Sequence, residues 1–342
     1  MRARSKIILG LAALGACLVL VGFGLVWWRA LPLEETRQVY GSGQYLLAAQ
    51  LAEQRLAQGD PHDPEAMLLA ARAYAQLGRW PEAEAYFCQL PLRDREDLRM
   101  RARGLETRQL WTESAMVYEQ IVQRWRDDGD ALQHLAAIRV QQDRAQEALI
   151  LSRRLAQIPS YEAIGHVLTG MIEHEMQNQQ QAVDEFERAL AVSPELKGIP
   201  TERWQVLQWF AEALLMLGRS DDAEKYALEA RQLSSSAEPC LVLGQARQQM
   251  DDDEGARRYW TEAAARNPNF VPALKELAQL CLRQGTLDDA LRWCAHAHEL
   301  EPENPAIKYL LRTIYIRLGQ LDKANELSGT SPSNKEGQDR PH

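Results

Sequence analysis

The 342-residue chain is 46% hydrophobic and carries a formal net charge of −9. That acidity, with no basic stripe interleaved with aromatics, argues against a nucleic-acid partner, and glycine, proline and net charge fall short of what keeps a chain wholly disordered. Five cysteines, at 17, 88, 240, 281 and 294, include no close pair of the zinc or redox kind and read as small buried apolar residues.

Arg2, Arg4 and Lys6 form a basic tail (1–6), followed by Ile7 to Trp28, 22 residues without a charge. At 1.5 Å per residue such a helix is roughly 33 Å long, enough to cross a bilayer's hydrocarbon layer. We read 7–28 as a transmembrane helix. Trp27 and Trp28 suit its far interface, and the basic tail places the start in the cytoplasm, so the rest of the chain is expected outside it. Arg29 and Arg37 oppose this orientation, and a reversed topology stays as the alternative. Removal of the segment as a secretory peptide fits less well, because Trp28, Arg29 and Ala30 make no small-residue cleavage site. Leu14, Gly15, Ala16 and Cys17 offer a third reading, a lipid-modified cysteine, which would leave an odd apolar start to the mature chain.

After an irregular linker over 29–42, residues 43–63 have the pattern of one amphipathic helix without its partner, a capping half-repeat. From Pro64 onward, pairs of short helices recur. Ala70, Ala71, Tyr74, Gly78, Trp80, Ala83 and Phe87 mark the first pair, which ends at Arg95. In the next, Glu96 to Asp128, Arg99, Arg101 and Arg103 interrupt the first apolar stripe, while Ala115, Tyr118, Val122 and Trp125 sustain the second. Gly129 to Glu162 carries Leu132, Leu135, Ala136, Ala148 and Leu155; Ala163 to Leu196 carries Val167, Gly170, Ala182, Phe186, Ala189 and Pro194. Lys197 to Arg203 is a short insertion, expected as a loop and a slight joint between an N-terminal half of the array (64–196) and a C-terminal half (204–328). Trp204 to Ser236 follows with Phe210, Ala211, Gly218, Ala223 and Ala230, and Ala237 to Phe270 with Leu243, Gly244, Ala256, Trp260, Ala263 and Pro268.

Val271 to Asn304 shows the unit most plainly. Leu274, Leu277, Leu280 and Cys281, then Leu287, Ala290, Leu291, Cys294 and Ala297, recur at helical steps, with Gly285 as the turn and Pro302 as the stop. Small Ala278 and Ala290 suit the place where two helix axes come closest. A last pair, Pro305 to Leu327, has Leu311, Tyr315, Gly319 and Ala324; the tail over 329–342 lacks apolar residues and is expected to be disordered.

This pattern resembles the tetratricopeptide repeat, a helical hairpin with a period of about 34 residues. Leu277, Ala278, Ala290, Trp293, Ala297 and Pro302 hold the matching places, with Cys281 and Cys294 where aromatics are usual. Ala182 to Pro194, Ala256 to Pro268 and Ala290 to Pro302 repeat one 12-residue spacing. The resemblance implies an all-α, right-handed superhelical solenoid of helix-turn-helix hairpins behind the transmembrane helix. It also implies that the first helix of each unit lines a concave groove. Leu68, Arg72, Gln133, Val167, Met171, Gln208 and Glu212 would face that groove, as would Leu241, Gln245, Gln248, Lys275, Gln279 and Tyr309. Glutamine amides donate and accept, so an extended protein or peptide segment is the partner such a wall suits. The alternative is that these are simply solvated helix faces. The family's carboxylate clamp is incomplete, since Lys275 has Gln279 in the usual Asn place and the next helix offers Tyr309 and Leu310.

The chain has no GxxxxGK, GxGxxG, HExxH or GxSxG motif. Glu173, His174 and Glu175, like His296, His298 and Glu299, place candidate ligands two apart, on different helix faces. Asp251, Asp252, Asp253 and Glu254 read as turn acids that cap the following helix. No cofactor, metal, small-molecule substrate or catalysis is expected. The expected function is that of a membrane-anchored scaffold or assembly factor of a bacterial envelope, single-pass in the inner membrane with its repeats in the periplasm. The alternatives are a cytoplasm-facing adaptor and an enzyme working through His166, His174, Glu212 and Lys275.

Overall fold

The computed structural model describes residues 33–327. The expected transmembrane segment over 7–28, Cys17 and the tail over 329–342 lie outside the described residues. All regular elements among the described residues are helices, in two compact units that meet between Leu151 and Ser152. The first unit holds α1 (33–41), α2 (Tyr45–Gln58), α3 (Pro64–Gln76), α4 (Trp80–Phe87), α5 (Arg95–Thr107), α6 (Trp111–Arg124) and α7 (Gly129–Gln141). The boundary falls inside α8 (Ala145–Leu155). The second unit continues with α9 (Glu162–Glu175), α10 (Gln179–Val192), α11 (Arg203–Met216), α12 (Ser220–Leu233), α13 (Glu238–Gln249) and α14 (Asp253–Arg266). It closes with α15 (Val271–Gln284), α16 (Leu287–Leu300), α17 (Pro305–Arg317) and α18 (Leu321–Glu326). None of the described helices is long and apolar enough to cross a membrane.

Odd-numbered helices are the first members of hairpins and even-numbered ones the second. One backbone device makes every turn. The residues at 43, 78, 109, 143, 177, 218, 251, 285 and 319 all have φ between 57° and 81°, the left-handed conformation that ends a helix. In each case the next residue donates its N–H to a carbonyl five positions back, as in Arg79 to Tyr74 at 2.9 Å and Thr286 to Cys281 at 3.0 Å. Glycine holds this place in five turns, Gly43, Gly78, Gly218, Gly285 and Gly319, and suits it because it has no Cβ to clash. Gln109, Asp143, Gln177 and Asp251 adopt it at a cost. The hairpin thus forms even where its glycine is missing.

Seven residues before each turn stands a small side chain, in order Thr36, Ala71, Ala102, Ala136, Gly170, Ala211, Gly244 and Ala278, and all eight are buried. Second-helix partners fill the space they leave: a Cβ on Gly170 would collide with Phe186, and one on Gly244 with Trp260. Ala290 and Ala297 are fully buried, as the tetratricopeptide register requires. Arg312 takes the corresponding place in the last hairpin and is exposed, so the small-residue column stops there.

Four expectations need correction. The stretch read as an irregular linker contains α1, which supplies the partner that the capping half-repeat over 43–63 was thought to lack. Its inward face, Leu33 and Thr36, is too short to stand out as a periodic pattern. The insertion over 197–203 is a loop but marks no joint, because Leu196 and Ile199 beside it pack into one core with Val167, Phe186, Phe210 and Leu243. Arg99, Arg101 and Arg103 do not spoil their hairpin, since Leu98, Ala102 and Leu105 bury the inner face of α5 and the arginines project toward carboxylates. Cys240, Cys281 and Cys294 are buried as expected, whereas Cys88, the residue capping the C-terminal end of α4, is exposed.

Candidate binding surface

Within each unit, first helices touch their successors: α3 packs on α5, α9 on α11, α11 on α13 and α15 on α17. Side chains along these helices therefore form continuous faces, and the two units equip them differently.

In the first unit the face is a ladder of ion pairs. The Arg72 guanidinium on α3 donates to both carboxylate oxygens of Asp97 on α5, at 2.6 and 2.8 Å, and Asp97 is almost fully buried. Arg99 lies 2.7 Å from Asp128, whose other oxygen caps α7 through the Ala131 N–H, and Arg103 reaches Asp130 at 2.8 Å. His134 Nδ1 lies 3.1 Å from a Glu106 oxygen, and its ring stacks on Tyr118 with centroids 5.3 Å apart. The hydrogen bond to Glu106 raises the His134 pKa above that of an ordinary histidine. Tyr118 donates to the same carboxylate at 3.1 Å, and burial pushes its phenol pKa up. These charges are spent on one another. Arg72 is thus a strut between repeats, Leu68 packs against the core beside Tyr74 and Phe87, and Gln133 is half-buried.

In the second unit the face is mostly uncharged. Val167 is an exception to the expected groove: it is 2% exposed, in the core with Phe186. Met171, one turn on, is rotated about 40° from it at 100° per residue and is only partly buried. Glu212 accepts from Gln208 at 2.9 Å and lies 3.5 Å from His174 Nε2, whose pKa that contact raises. His174 Nδ1 meets Gln179 at 2.7 Å, and His166 Nδ1 meets Glu185 at 2.6 Å. Leu241 is partly buried, and its carbonyl accepts from Trp260 Nε1 at 3.2 Å. With its amide turned so that the oxygen faces Arg283, Gln248 accepts from both terminal nitrogens, and Arg283 also lies 3.1 Å from Asp253.

Beyond these, α13, α15 and α17 carry further polar side chains that are at least partly exposed. Gln245 and Gln279 are partly exposed, Lys275 pairs with Glu276 at 3.5 Å, and Tyr309 is 70% exposed. The structure therefore places Gln245, Lys275, Gln279 and Tyr309 on neighbouring first helices, each at least partly exposed.

Histidine clusters divide as helix geometry requires. Glu173 is buried and holds Arg153 and Asn178, His174 faces Glu212, and Glu175 is exposed. Asp251 forms its turn, Asp252 caps α14 through Gly255 N–H at 2.8 Å, and Asp253 pairs with Arg283. No group of three His, Cys, Asp or Glu among the described residues could hold a metal ion. The Asp97, Asp128 and Asp130 rungs escaped sequence reasoning. Their signal was opposite charges about three-quarters of a repeat apart, Arg72 with Asp97 and Arg103 with Asp130, 25 and 27 residues.

Two family models, both described as tetratricopeptide repeat, match residues 40–103 and 283–335 and residues 241–305. The chain carries tetratricopeptide repeats. Solved structures agree on the tetratricopeptide fold. PilW, a widely conserved type IV pilus biogenesis factor, aligns with a TM-score of 0.53 at 18% identity, over 59% of this chain and 90% of its own. The pilF protein of Pseudomonas aeruginosa gives 0.51 at 20% identity, over 58% and 88%. The Cut9-Hcn1 hetero-tetramer of the APC/C gives 0.54 at 12% identity, over 79% of this chain and 52% of the matched one. No curated protein matches the chain. The matched repeats lie toward the two ends, and the turns at 109, 143, 177 and 218 carry the same tetratricopeptide hairpin through the stretch between.

Proposed function

We propose that this tetratricopeptide-repeat protein is a membrane-anchored scaffold that holds an extended segment of a protein partner during assembly at a bacterial envelope. The observation that carries the binding reading is the row Gln245, Lys275, Gln279 and Tyr309, partly or largely exposed on successive first helices, with Lys275 paired to the adjacent Glu276. Amides that both donate and accept can pair with a peptide backbone, and Tyr309 adds an apolar ring with a polar tip. The ion-pair ladder of the first unit gives the opposite condition, so the segment docks on the second unit. Anchoring rests on the uncharged run from Ile7 to Trp28, and orientation on Arg2, Arg4 and Lys6 before it. An envelope role is analogy with PilW, a type IV pilus biogenesis factor, and it does not name the partner. No reaction is part of this reading.

Photo-reactive side chains placed at 245 and 309 in the full chain, in native membranes, test it. One protein adduct common to both positions is expected, weakened at least tenfold by the double substitution Gln279→Ala and Lys275→Ala. Adducts that appear equally from exposed Ile150 would overturn the surface assignment. Labelling of exposed Cys88 by an impermeant maleimide on spheroplasts reports topology: label before lysis supports a periplasmic array, and label only after lysis establishes the reversed one.

A further inference from the structure

The first hairpin carries an inverted helix. α2 buries Ala48, Ala49 and Ala52 against its neighbours, yet turns the larger Leu46 and Leu47 outward, 48% and 42% exposed. Leu77, from the α3–α4 turn, joins them at 38% exposed. Together with Tyr45, Gln44 and Gln50 they line a shallow depression of about 390 Å³ whose lining contains no charged side chain. The inward face of α2 is already filled by Ala48, Ala49, Ala52 and Leu56, so Leu46 and Leu47 are surplus to it. An uncharged apolar patch on an acidic protein is a surface prepared for an apolar neighbour.

The sequence before α1 indicates which neighbour. The uncharged run ends at Trp27 and Trp28, and Leu33, the first described residue of α1, is five residues beyond Trp28. Five extended steps span at most roughly 18 Å. α1 then adds roughly 13 Å, nine residues at 1.5 Å, and delivers the chain directly to Gly43 at the edge of the patch. We propose that Leu46, Leu47 and Leu77 rest in the interfacial layer of the bilayer, so that α1 lies along the membrane and the first hairpins form a foot for the array. This inference depends on the proposed anchoring. Exposed Arg79, two residues after Leu77, supplies a cation that suits lipid phosphates at the rim of such a contact. Indoles at the end of such an uncharged run favour the same interfacial depth. A soluble partner protein is the competing occupant, and the test must tell the two apart.

The experiment uses the full chain in vesicles of phosphatidylcholine and phosphatidylglycerol, in a Cys88→Ser background. An environment-sensitive fluorophore is attached at Leu47→Cys, Leu77→Cys or, as a control on α8, Ile150→Cys. Nitroxide-labelled acyl chains are the quencher, and flotation reports vesicle attachment. Quenching at 47 and 77 at least twofold stronger than at 150, in vesicles containing no other protein, supports the inference. A chain that floats with vesicles but shows no quenching at 47 and 77 overturns it while leaving anchoring intact, and assigns the patch to a soluble partner. Equal quenching at all three positions overturns it as well, because the contact would not be local to the patch. A chain that fails to float overturns the anchoring and this inference together.

Discussion

The indole of Trp260 on α14 occupies the space where a Cβ on Gly244 of α13 would have to stand, and its Nε1–H reaches the Leu241 carbonyl at 3.2 Å. Trp260 is fully buried, so neither partner can move aside cheaply. Gly244→Ala is therefore expected to lower stability by about 1–3 kcal/mol through overpacking, despite alanine's higher helix propensity. Denaturant unfolding followed by tryptophan fluorescence measures it. A stabilised Gly244→Ala chain would show that the helices are not packed at this distance.

Ala290 makes the same demand on the hairpin of α15 and α16. It is fully buried in a core with Leu277, Ala278 and Cys281. Ala290→Phe should cost about 1–3 kcal/mol, whereas Asp288→Ala, at a nearby exposed position, should change stability by less than about 0.5 kcal/mol. Equal midpoints for the two variants would contradict the register.

Gln177 holds a left-handed turn with φ 64°, the place glycine takes at Gly285 with φ 78°. Gln177→Gly should stabilise the chain by about 1 kcal/mol, and Gly285→Ala should destabilise it by a similar amount, since a Cβ is the source of the strain in both. Opposite shifts of the thermal midpoint are the expected result; shifts in the same direction would reject the shared turn geometry.

His134 sets a pH dependence. Its hydrogen bond to Glu106 raises its pKa above the unfolded value near 6.5, with Asp130 adding to the rise and Arg103 opposing it. A raised histidine contributes stability fully below the unfolded pKa and loses it as pH climbs through the folded pKa. His134→Gln should therefore cost more at pH 5.5 than at pH 8.5, by less than about 1 kcal/mol because the ring is about a third exposed and screened. Unfolding free energies of both proteins at the two pH values decide this, and an equal cost at both would remove charge from the role of His134.

Much of the array was legible because its signals are local. Ala278, Ala290 and Ala297 announced close helix crossings, and Gly285 and Pro302 marked the ends, all within one 34-residue stretch whose turn and packing the structure reproduces. α1 was not legible, because nine residues with few inward positions make no periodic signal. Gln109 and Gln177 were equally silent as turn formers, since the strain they bear is compensated by packing elsewhere in the hairpin. For the surface, the glutamines and Tyr309 could be placed on first helices by period alone, but Val167 could not be separated from Met171 on the same stripe.

The sequence by itself determined that this chain is helical, repeated and built of hairpins, because helix period, turn residues and small crossing positions act over a few residues. Only the tertiary structure decided which of its polar side chains remain available. Arg72 with Asp97 and His174 with Glu212 are joined across 25 and 38 residues by the stacking of one repeat on the next, and no local pattern records whether a charge will find such a partner or stay open.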